Sequence, residues 1–149
     1  MRVNVAAFAL LAGLPKAPDF ALPSVSGDTV RLSDFSGKVV ILDFWATWCN
    51  PCRQEIPGFI RIYNDYKDKG VVIIGIALDE PEKVRKFTED YRVNYPVLLG
   101  TREVAQKYGG IMGIPTTFIL DREHRIRKKV VGWRSESFFR QELDKLLGK

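Results

Sequence analysis

The sequence predicts an α/β fold, with one mixed central sheet, helices on both of its faces and an extra β-hairpin near the N-terminus. Apolar runs typical of buried strands alternate with segments of helical periodicity, which is the pattern of parallel strands joined by crossover helices. Two β-rich runs near the C-terminus add antiparallel strands, and a shorter pair after residue 17 predicts the hairpin.

Strands are predicted from apolar or β-rich runs bounded by turn residues. They cover residues 18–23, 29–32, 38–45, 71–77, 96–99, 116–120 and 126–131. The turn residues Ser26-Gly27-Asp28 close the first pair, and residues 121–124 close the last pair. The run 38–45 is almost continuously apolar, as in a strand buried on both faces, and Asp43 interrupts it.

Helices are predicted where apolar residues recur at three- and four-residue spacing. They cover residues 52–69, 81–91, 104–108 and the segment from Ser135 onwards, with a turn or single helical turn at 33–37. Gly70 should end the first of these helices. Pro57 should kink it, because proline removes a backbone hydrogen bond.

Length and composition indicate a single soluble domain. The chain has 149 residues, of which 46% are hydrophobic and 28% charged. Its 23 basic and 18 acidic residues give a net charge of +5, with the densest basic cluster at residues 125–129. A nucleic-acid binder usually has a stronger basic stripe interleaved with aromatic residues, so we expect no nucleic-acid partner. We also expect a monomer.

The first sixteen residues are predicted to precede the domain, which we place at residues 17–149. Arg2 is followed by an apolar run that ends at Leu14, and this pattern is typical of a secretory signal. The run is shorter than the roughly 20 residues that cross a bilayer, and Pro15 and Ala17 make a poor cleavage site. The pattern favours export or membrane anchoring, and therefore an extracytoplasmic location. The alternative is an N-terminal element that packs on a cytoplasmic domain.

The two cysteines of the chain, Cys49 and Cys52, form a Cys-x-x-Cys pair. A disulfide between them closes a small loop and removes little chain entropy, so it suits redox exchange better than structural crosslinking. A helix that begins near Cys49 should lower the pKa of this thiol from about 8.5, and Pro51 fits the first helical turn. We expect Cys49 to attack a substrate disulfide and the more buried Cys52 to resolve the mixed disulfide.

A Cys-x-x-Cys pair can also form half of a zinc site, which needs further cysteine or histidine ligands. The single histidine, His124, is predicted as a solvated residue on a distant turn. We therefore expect no metal and no cofactor.

The segment from Asp43 to Pro57 resembles the active-site stretch of the thioredoxin superfamily, with its Cys-x-Pro-Cys pair, a preceding tryptophan and a proline five residues after the pair. Downstream, residues 113–117 resemble the cis-proline loop of that superfamily. From about residue 17 to the end, the layout resembles the membrane-associated thiol-disulfide reductases of the TlpA and ResA type. This wider likeness includes Ala17-Pro18-Asp19-Phe20, residues 32–38 and an extra element around residues 79–97.

The resemblance implies a thiol-disulfide oxidoreductase that reduces protein disulfides with electrons from a membrane partner. It suggests the haem-site cysteines of apocytochrome c as one substrate class, in cytochrome c maturation. A general thioredoxin-type reductant, in redox homeostasis or in the cytoplasm, is the other interpretation.

Two related activities fit the residues less well. A Cu(I) chaperone of the Sco type uses soft thiolates, but from a Cys-x-x-x-Cys pair with a distant histidine. A peroxiredoxin-like peroxidase needs a threonine three residues ahead of the attacking cysteine, whereas Thr47 lies two residues ahead of Cys49.

The resemblance also implies roles for residues around the pair. Pro115 should follow a cis peptide bond and face the sulfurs, which leaves the backbone of Ile114 free to pair with an extended substrate. Asp43 would be a buried proton relay for Cys52, or alternatively a strand-end carboxylate that reaches solvent or a lysine. Glu55 would tune the pKa values of the cysteines, or alternatively stabilise the helix dipole from the first turn.

Substrate contacts are expected at the rim of the site. The rim should include Asn50 and Pro51, between the cysteines, and Trp48, next to the first of them. Trp45 and Trp133 are expected to pack in the interior.

Overall fold

The computed structural model describes residue 11 and residues 13–148. Most of the segment predicted as a signal or anchor, residues 1–16, therefore lies outside the described residues, and that prediction stays untested. Within the described ranges, no helix combines the length and the apolar character needed to cross a bilayer.

The elements follow the predicted order. The strands are β1 (Ala21–Pro23), β2 (Thr29–Arg31), β3 (Val39–Trp45), β4 (Val71–Ala77), β5 (Val97–Leu99), β6 (Thr116–Leu120) and β7 (Ile126–Val131). The helices are α1 (Asn50–Tyr66), α2 (Pro81–Asp90), α3 (Arg102–Lys107) and α4 (Glu136–Leu146). Short 3-10 turns occupy Leu32–Phe35 and Lys67–Lys69.

The main sheet has the strand order β5-β4-β3-β6-β7, and β1 and β2 form a separate antiparallel hairpin. Strands β3, β4 and β5 are parallel, whereas β6 runs antiparallel to both β3 and β7. The predicted mixed sheet with an N-terminal hairpin is confirmed. We call the edge where β3 and β4 end the upper edge of the sheet, and the edge where they begin the lower edge.

The sheet divides the interior into two clusters of buried side chains. Alternate residues of β3 point to opposite faces, because the side-chain period of a strand is two. Ile41 and Trp45 lie in one cluster, with residues from α1, α2 and α4. Leu42 and Phe44 lie in the other, with residues from the hairpin and α3. Helices therefore cover both faces, as predicted.

Helix α1 positions the cysteine pair at the upper edge. It begins at Asn50, two residues before the predicted start, because Cys49 already serves as its N-cap. Pro57 lies inside this helix, as the sequence requires. The α-helix ends at Tyr66, the 3-10 turn follows, and Gly70 then takes the left-handed conformation with φ of 85°. A residue with a side chain adopts that conformation less readily, which explains the glycine at this end.

Candidate active site

The cysteine pair lies at the N-terminus of α1 as a disulfide, with 5.3 Å between the two Cα atoms. The backbone N–H of Cys52 donates a hydrogen bond of 3.2 Å to the Cys49 sulfur. Cys49 is 5% exposed and Cys52 is 0% exposed. The predicted order of burial is confirmed, and it places Cys49 at the surface side of the pair.

The loop before β6 covers the Cys49 sulfur from the other side. The Ile114–Pro115 peptide bond is cis, as predicted. The carbonyl oxygen of Ile114 lies 3.7 Å from the Cys49 sulfur. The N–H of Gly132 donates a hydrogen bond of 2.8 Å to the carbonyl of Pro115, so the segment after β7 supports the loop. Two segments 65 residues apart thus meet at one sulfur.

Exposed apolar side chains surround this site. Trp48 is 70% exposed and Met112 is 98% exposed. Asn50 and Pro51 are also exposed, in agreement with a rim position. Met112 was not predicted, because a single methionine in a loop has no periodic neighbours that indicate its side.

The two remaining tryptophans differ in their agreement with prediction. Trp45 is buried, at 1% exposure, as expected. Trp133 is 50% exposed, so its predicted interior packing is wrong. It follows Gly132 in the loop after β7 and lines a groove of about 180 Å³ beside Glu55 and Phe59. The loop position holds the indole at the surface of this groove instead of in the core.

The loop that leads from β3 to Cys49 is braced by Asp79. The Thr47 N–H donates a hydrogen bond of 3.0 Å to the Asp79 carboxylate. The Thr47 hydroxyl also donates to that carboxylate. Sequence reasoning missed this brace, and its one signal is an acidic residue just after the end of β4.

Asp43 is a fully buried carboxyl in the middle of the sheet. It pairs with Thr117 across the antiparallel β3–β6 ladder. Among the described residues, neither of its carboxyl oxygens has a hydrogen-bond partner. Burial raises its pKa well above the ordinary value, the charge of Glu55 adds to the rise, and Thr117 opposes it. The alternative of a carboxylate that reaches solvent or a lysine does not hold, since the residue is 0% exposed.

Glu55 lies one turn after Cys52 on the inward face of α1 and is 5% exposed. One of its carboxyl oxygens accepts a hydrogen bond of 2.9 Å from the backbone N–H of Arg134. The other has no partner within the described part of the chain. Burial raises the pKa of Glu55 to about 7, although the hydrogen bond and charge of Arg134 lower it. The alternative interpretation, a first-turn glutamate that stabilises the helix dipole, does not hold, because the first turn of α1 contains no acidic residue.

Tyr95 is a third polar residue in the same buried region. Its ring packs edge-to-face on Phe59, with 6.4 Å between the centroids. Burial raises the pKa of Tyr95 well above its ordinary value, and the charges of Asp43 and Glu55 raise it further. A Cβ on Gly75, which pairs with Asp43 across β3–β4, would lie 3.0 Å from the Trp45 indole nitrogen and 3.5 Å from the Tyr95 ring. The glycine therefore makes room for the Trp45 indole and lies within contact distance of Tyr95.

The two acids form a coupled pair beneath the cysteines. Because their charges repel in a low-dielectric interior, both do not ionise readily at the same pH. Glu55 ionises first, since it accepts a hydrogen bond from Arg134, whereas Asp43 has no donor among the described residues. With a pKa of about 7, Glu55 can therefore take up or release a proton near neutral pH.

His124 lies at the lower edge, at the opposite end of the sheet from the cysteines. It is half-buried, with a φ of 61°, and its Nε2 lies 3.0 Å from the Phe35 carbonyl oxygen. The prediction of a simply solvated turn residue is therefore wrong in part. Among residues 11 and 13–148, no three His, Cys, Asp or Glu side chains are grouped as a metal site. The fold thus does not bring His124 to the pair as a third ligand for copper.

Comparisons with known proteins agree with this geometry. Residues 15–129 match the AhpC/TSA family. The thiol-disulfide oxidoreductase ResA of Bacillus subtilis is 40% identical over 123 residues, which are 81% of this chain and 68% of that protein. A thiol:disulfide interchange protein of the thioredoxin family from Chlorobium tepidum has a TM-score of 0.85 at 32% identity, and the alignment covers 91% of this chain and 97% of that one.

A secreted thiol-disulfide isomerase from Corynebacterium glutamicum also has a TM-score of 0.85, at 28% identity, with 93% of this chain and 89% of that one covered. The family match includes the cysteine pair and the cis-proline loop. The chain belongs to the AhpC/TSA family and is a thiol-disulfide oxidoreductase of the ResA type, with Cys49 and Cys52 as its redox pair.

Proposed function

We propose that the protein reduces disulfide bonds of other proteins outside the cytoplasm, and that a membrane electron donor returns it to the dithiol form. The burial order of the two sulfurs carries this proposal, because it gives the pair one attacking and one resolving thiol. The apolar run near the N-terminus supports the location, as does the similarity to a protein described as secreted. The protein acts as a monomer, since one chain supplies both cysteines and the loop that flanks them.

The reaction runs in two exchanges. The Cys49 thiolate attacks one sulfur of the substrate disulfide, and the other substrate sulfur leaves as a thiolate that takes up a proton. Cys52 then loses its proton to the acid pair and attacks the Cys49 sulfur. The mixed disulfide breaks, the second substrate sulfur leaves as a thiol, and Cys49–Cys52 becomes the disulfide. Two electrons have then passed from the pair to the substrate.

The buried acids favour reduction of substrates over their oxidation. A strongly oxidising pair owes its potential to a stabilised thiolate in the reduced form. Here the partly ionised Glu55 lies beneath the pair, and its negative charge opposes thiolate formation. The reduced form is thus less stabilised than in a strong oxidant, and the pair gives up its electrons more readily.

The rim suits an extended, partly apolar protein segment. Trp48, next to Cys49, and Met112, in the loop that leads to Ile114, offer exposed apolar surface. The backbone of Ile114 lies beside the sulfur, where an extended chain can pair with it as an added strand. The haem-site cysteines of apocytochrome c are one substrate class that fits. A broader set of unfolded proteins, reduced by a general thioredoxin-type activity, is the second.

Trapping of the mixed disulfide tests this division of roles. Cys52→Ser should accumulate a covalent complex with a protein disulfide substrate, because no thiol remains to resolve it. Cys49→Ser should form little complex, and the double variant none. Equal trapping by the two single variants would show that the roles are assigned wrongly. The equilibrium with glutathione then reports the direction, and we expect a potential nearer about −270 mV than about −120 mV.

A further inference from the structure

The lower edge of the domain carries an excess of basic side chains, which we call the basic face. It consists of the starts of β3 and β4, the β6–β7 turn and the C-terminal ends of α1 and α4. Its exposed basic residues are Lys16, Lys38, Lys67, Lys69, Arg122, Arg127 and Lys145. Asp121 is paired with Arg127, and Glu142 is paired with Lys128 and Lys145, whereas Asp144 accepts a hydrogen bond from the neutral Tyr66 hydroxyl. The exposed acids of this face are Asp34, Asp68 and Glu123, fewer than its exposed basic residues.

Arg122 joins the parts of the basic face. Its guanidinium donates a hydrogen bond of 3.3 Å to the carbonyl of Gly37, next to Lys38. The same group lies against Gly70, where an added Cβ would be 2.9 Å away, next to Lys69. Arg122 of the β6–β7 turn therefore lies on one continuous surface with Lys38, before β3, and Lys69, before β4.

The N-terminal segment joins the domain at this face. The N–H of Ile126 donates a hydrogen bond of 2.8 Å to the carbonyl of Pro15. The guanidinium of Arg125 donates one of 2.7 Å to the carbonyl of Leu14, the last residue of the apolar run. A run that is inserted in a bilayer would therefore hold the basic face towards the lipid surface.

A cavity of about 440 Å³ opens between this segment and the end of α4. Its lining includes Leu11, Leu146, Arg125, Arg127, Lys145 and Arg122, together with the acids Asp121 and Glu123. Apolar side chains beside basic ones suit the region where lipid headgroups meet acyl chains, because phosphates attract the cations and the acyl chains contact the leucines.

We propose that the basic face docks on a bilayer surface that contains acidic phospholipids, so that the redox pair points away from the membrane. Helix α1 has 17 residues and runs from the upper to the lower edge. At 1.5 Å per residue its length is about 25 Å. Docking would thus hold Cys49 roughly 25 Å above the lipid headgroups, at the height where donors and substrates must present their sulfurs.

Binding of the full chain to vesicles tests the charge requirement. We compare vesicles of phosphatidylcholine alone with vesicles that also contain phosphatidylglycerol. The test variant, Lys38→Glu/Lys69→Glu, changes the basic face. The control variant, Lys83→Glu/Lys86→Glu, makes the same change in net charge on α2. This helix lies away from the basic face, since its Phe87 packs on Trp45 near the upper edge. Because each basic residue near an acidic surface contributes about 1 kcal/mol, the first variant should bind acidic vesicles at least about tenfold more weakly.

The control variant should bind acidic vesicles within about twofold of the wild type, and salt should weaken wild-type binding. Equal losses in the two variants, or equal wild-type binding to neutral and acidic vesicles, would overturn the proposal. Reduction of a soluble disulfide should be unchanged in both variants, so a failure here is distinguishable from a failure of the proposed reductase activity.

The orientation has its own readout, since the three tryptophans of the chain, Trp45, Trp48 and Trp133, all lie near the upper edge. Vesicles with brominated acyl chains quench tryptophans that contact the bilayer. Docking through the basic face predicts a protein that is bound by flotation but not quenched. Quenching in the bound state would place the upper edge on the membrane and overturn the proposal.

Discussion

The backbone N–H of Arg134 donates a hydrogen bond of 2.9 Å to the buried carboxyl of Glu55. This bond ties the loop before α4 to the helix that carries the cysteines. It also makes Glu55 easier to ionise than Asp43. The charged form of Glu55 accepts this hydrogen bond, whereas the carboxyl oxygens of Asp43 have no hydrogen-bond partner among the described residues. The order in which the two acids ionise thus depends on a loop distant in sequence.

Glu55→Gln should lower the pKa of the Cys49 thiol, by about one unit, and raise the reduction potential of the pair. The substitution removes a buried negative charge while it keeps the size of the side chain. The pH dependence of alkylation and the equilibrium with glutathione measure the two quantities. Glu136 lines the same groove as Glu55 but lies nearer the surface. Glu136→Gln should leave both the pKa of Cys49 and the reduction potential unchanged. Equal shifts in the two variants would contradict a specific effect of Glu55.

Asp43→Asn should slow the resolution of the mixed disulfide at neutral pH by at least about tenfold, because an amide cannot relay the Cys52 proton to the ionised Glu55. Rapid acid quench followed by gel analysis would show the longer-lived covalent complex. Thr117→Val changes the opposite residue of the β3–β6 pair, which opposes the rise of the Asp43 pKa, but it keeps the ionisable group and should slow resolution far less. The proton role is wrong if Asp43→Asn resolves the complex as fast as Thr117→Val does.

The free energy of unfolding of the oxidised protein should fall as the pH rises from about 5 to about 8. Burial raises the pKa of Glu55 from 4.5 to about 7, so the unfolded chain loses its proton before the folded protein does. This contribution is fully present below pH 4.5 and is lost as the pH passes 7. Asp43 acts with the same sign, because burial also raises its pKa.

The expected fall is on the order of 2–3 kcal/mol, as one pKa unit corresponds to about 1.4 kcal/mol. Urea denaturation at several pH values measures it. The fall should be smaller in Glu55→Gln, which has no proton to lose at this position and leaves only the contribution of Asp43. A wild-type profile that is already flat over this range would show that Glu55 does not stay protonated in the folded protein.

Trp48→Ala should reduce kcat/KM for protein disulfides severalfold and leave the reaction with a small aromatic disulfide within about twofold. The side chain is 70% exposed, so its removal should change the free energy of unfolding by no more than about 0.5 kcal/mol. Steady-state assays with the two substrate types measure the difference. An equal loss for both substrates would indicate an effect on the sulfur chemistry instead of on substrate contact.

The order of elements could be predicted because each has a strong local signal. The apolar run 38–45 and the helical spacing after Cys52 required no knowledge of tertiary contacts. The burial of Glu55 also had a signal, since it lies three residues after Cys52 and four before Phe59, on the face that packs inward. The start of α1 differed by two residues because a cap is a detail of backbone geometry.

The positions that prediction missed depend on contacts between distant segments. Asp79 braces Thr47 across 32 residues of chain, and no local pattern encodes such a bond. Trp133 and His124 occupy loops, where neighbouring residues do not define an inward face. Gly75, on a neighbouring strand, likewise makes room for the Trp45 indole, which the spacing along one segment does not show.

The sheet separates the reactive groups of the site from the side chains that only pack the other half of the interior. The acids and sulfurs lie on one side, whereas the other side is packed with aliphatic residues around the rings of Phe44, Tyr108 and Phe118, which are in mutual contact. Exchange of an acid for a neutral residue therefore leaves the packing of that other side intact. Homologous proteins can therefore evolve different reduction potentials through substitutions at the two acids, while the scaffold on the opposite side of the sheet is retained.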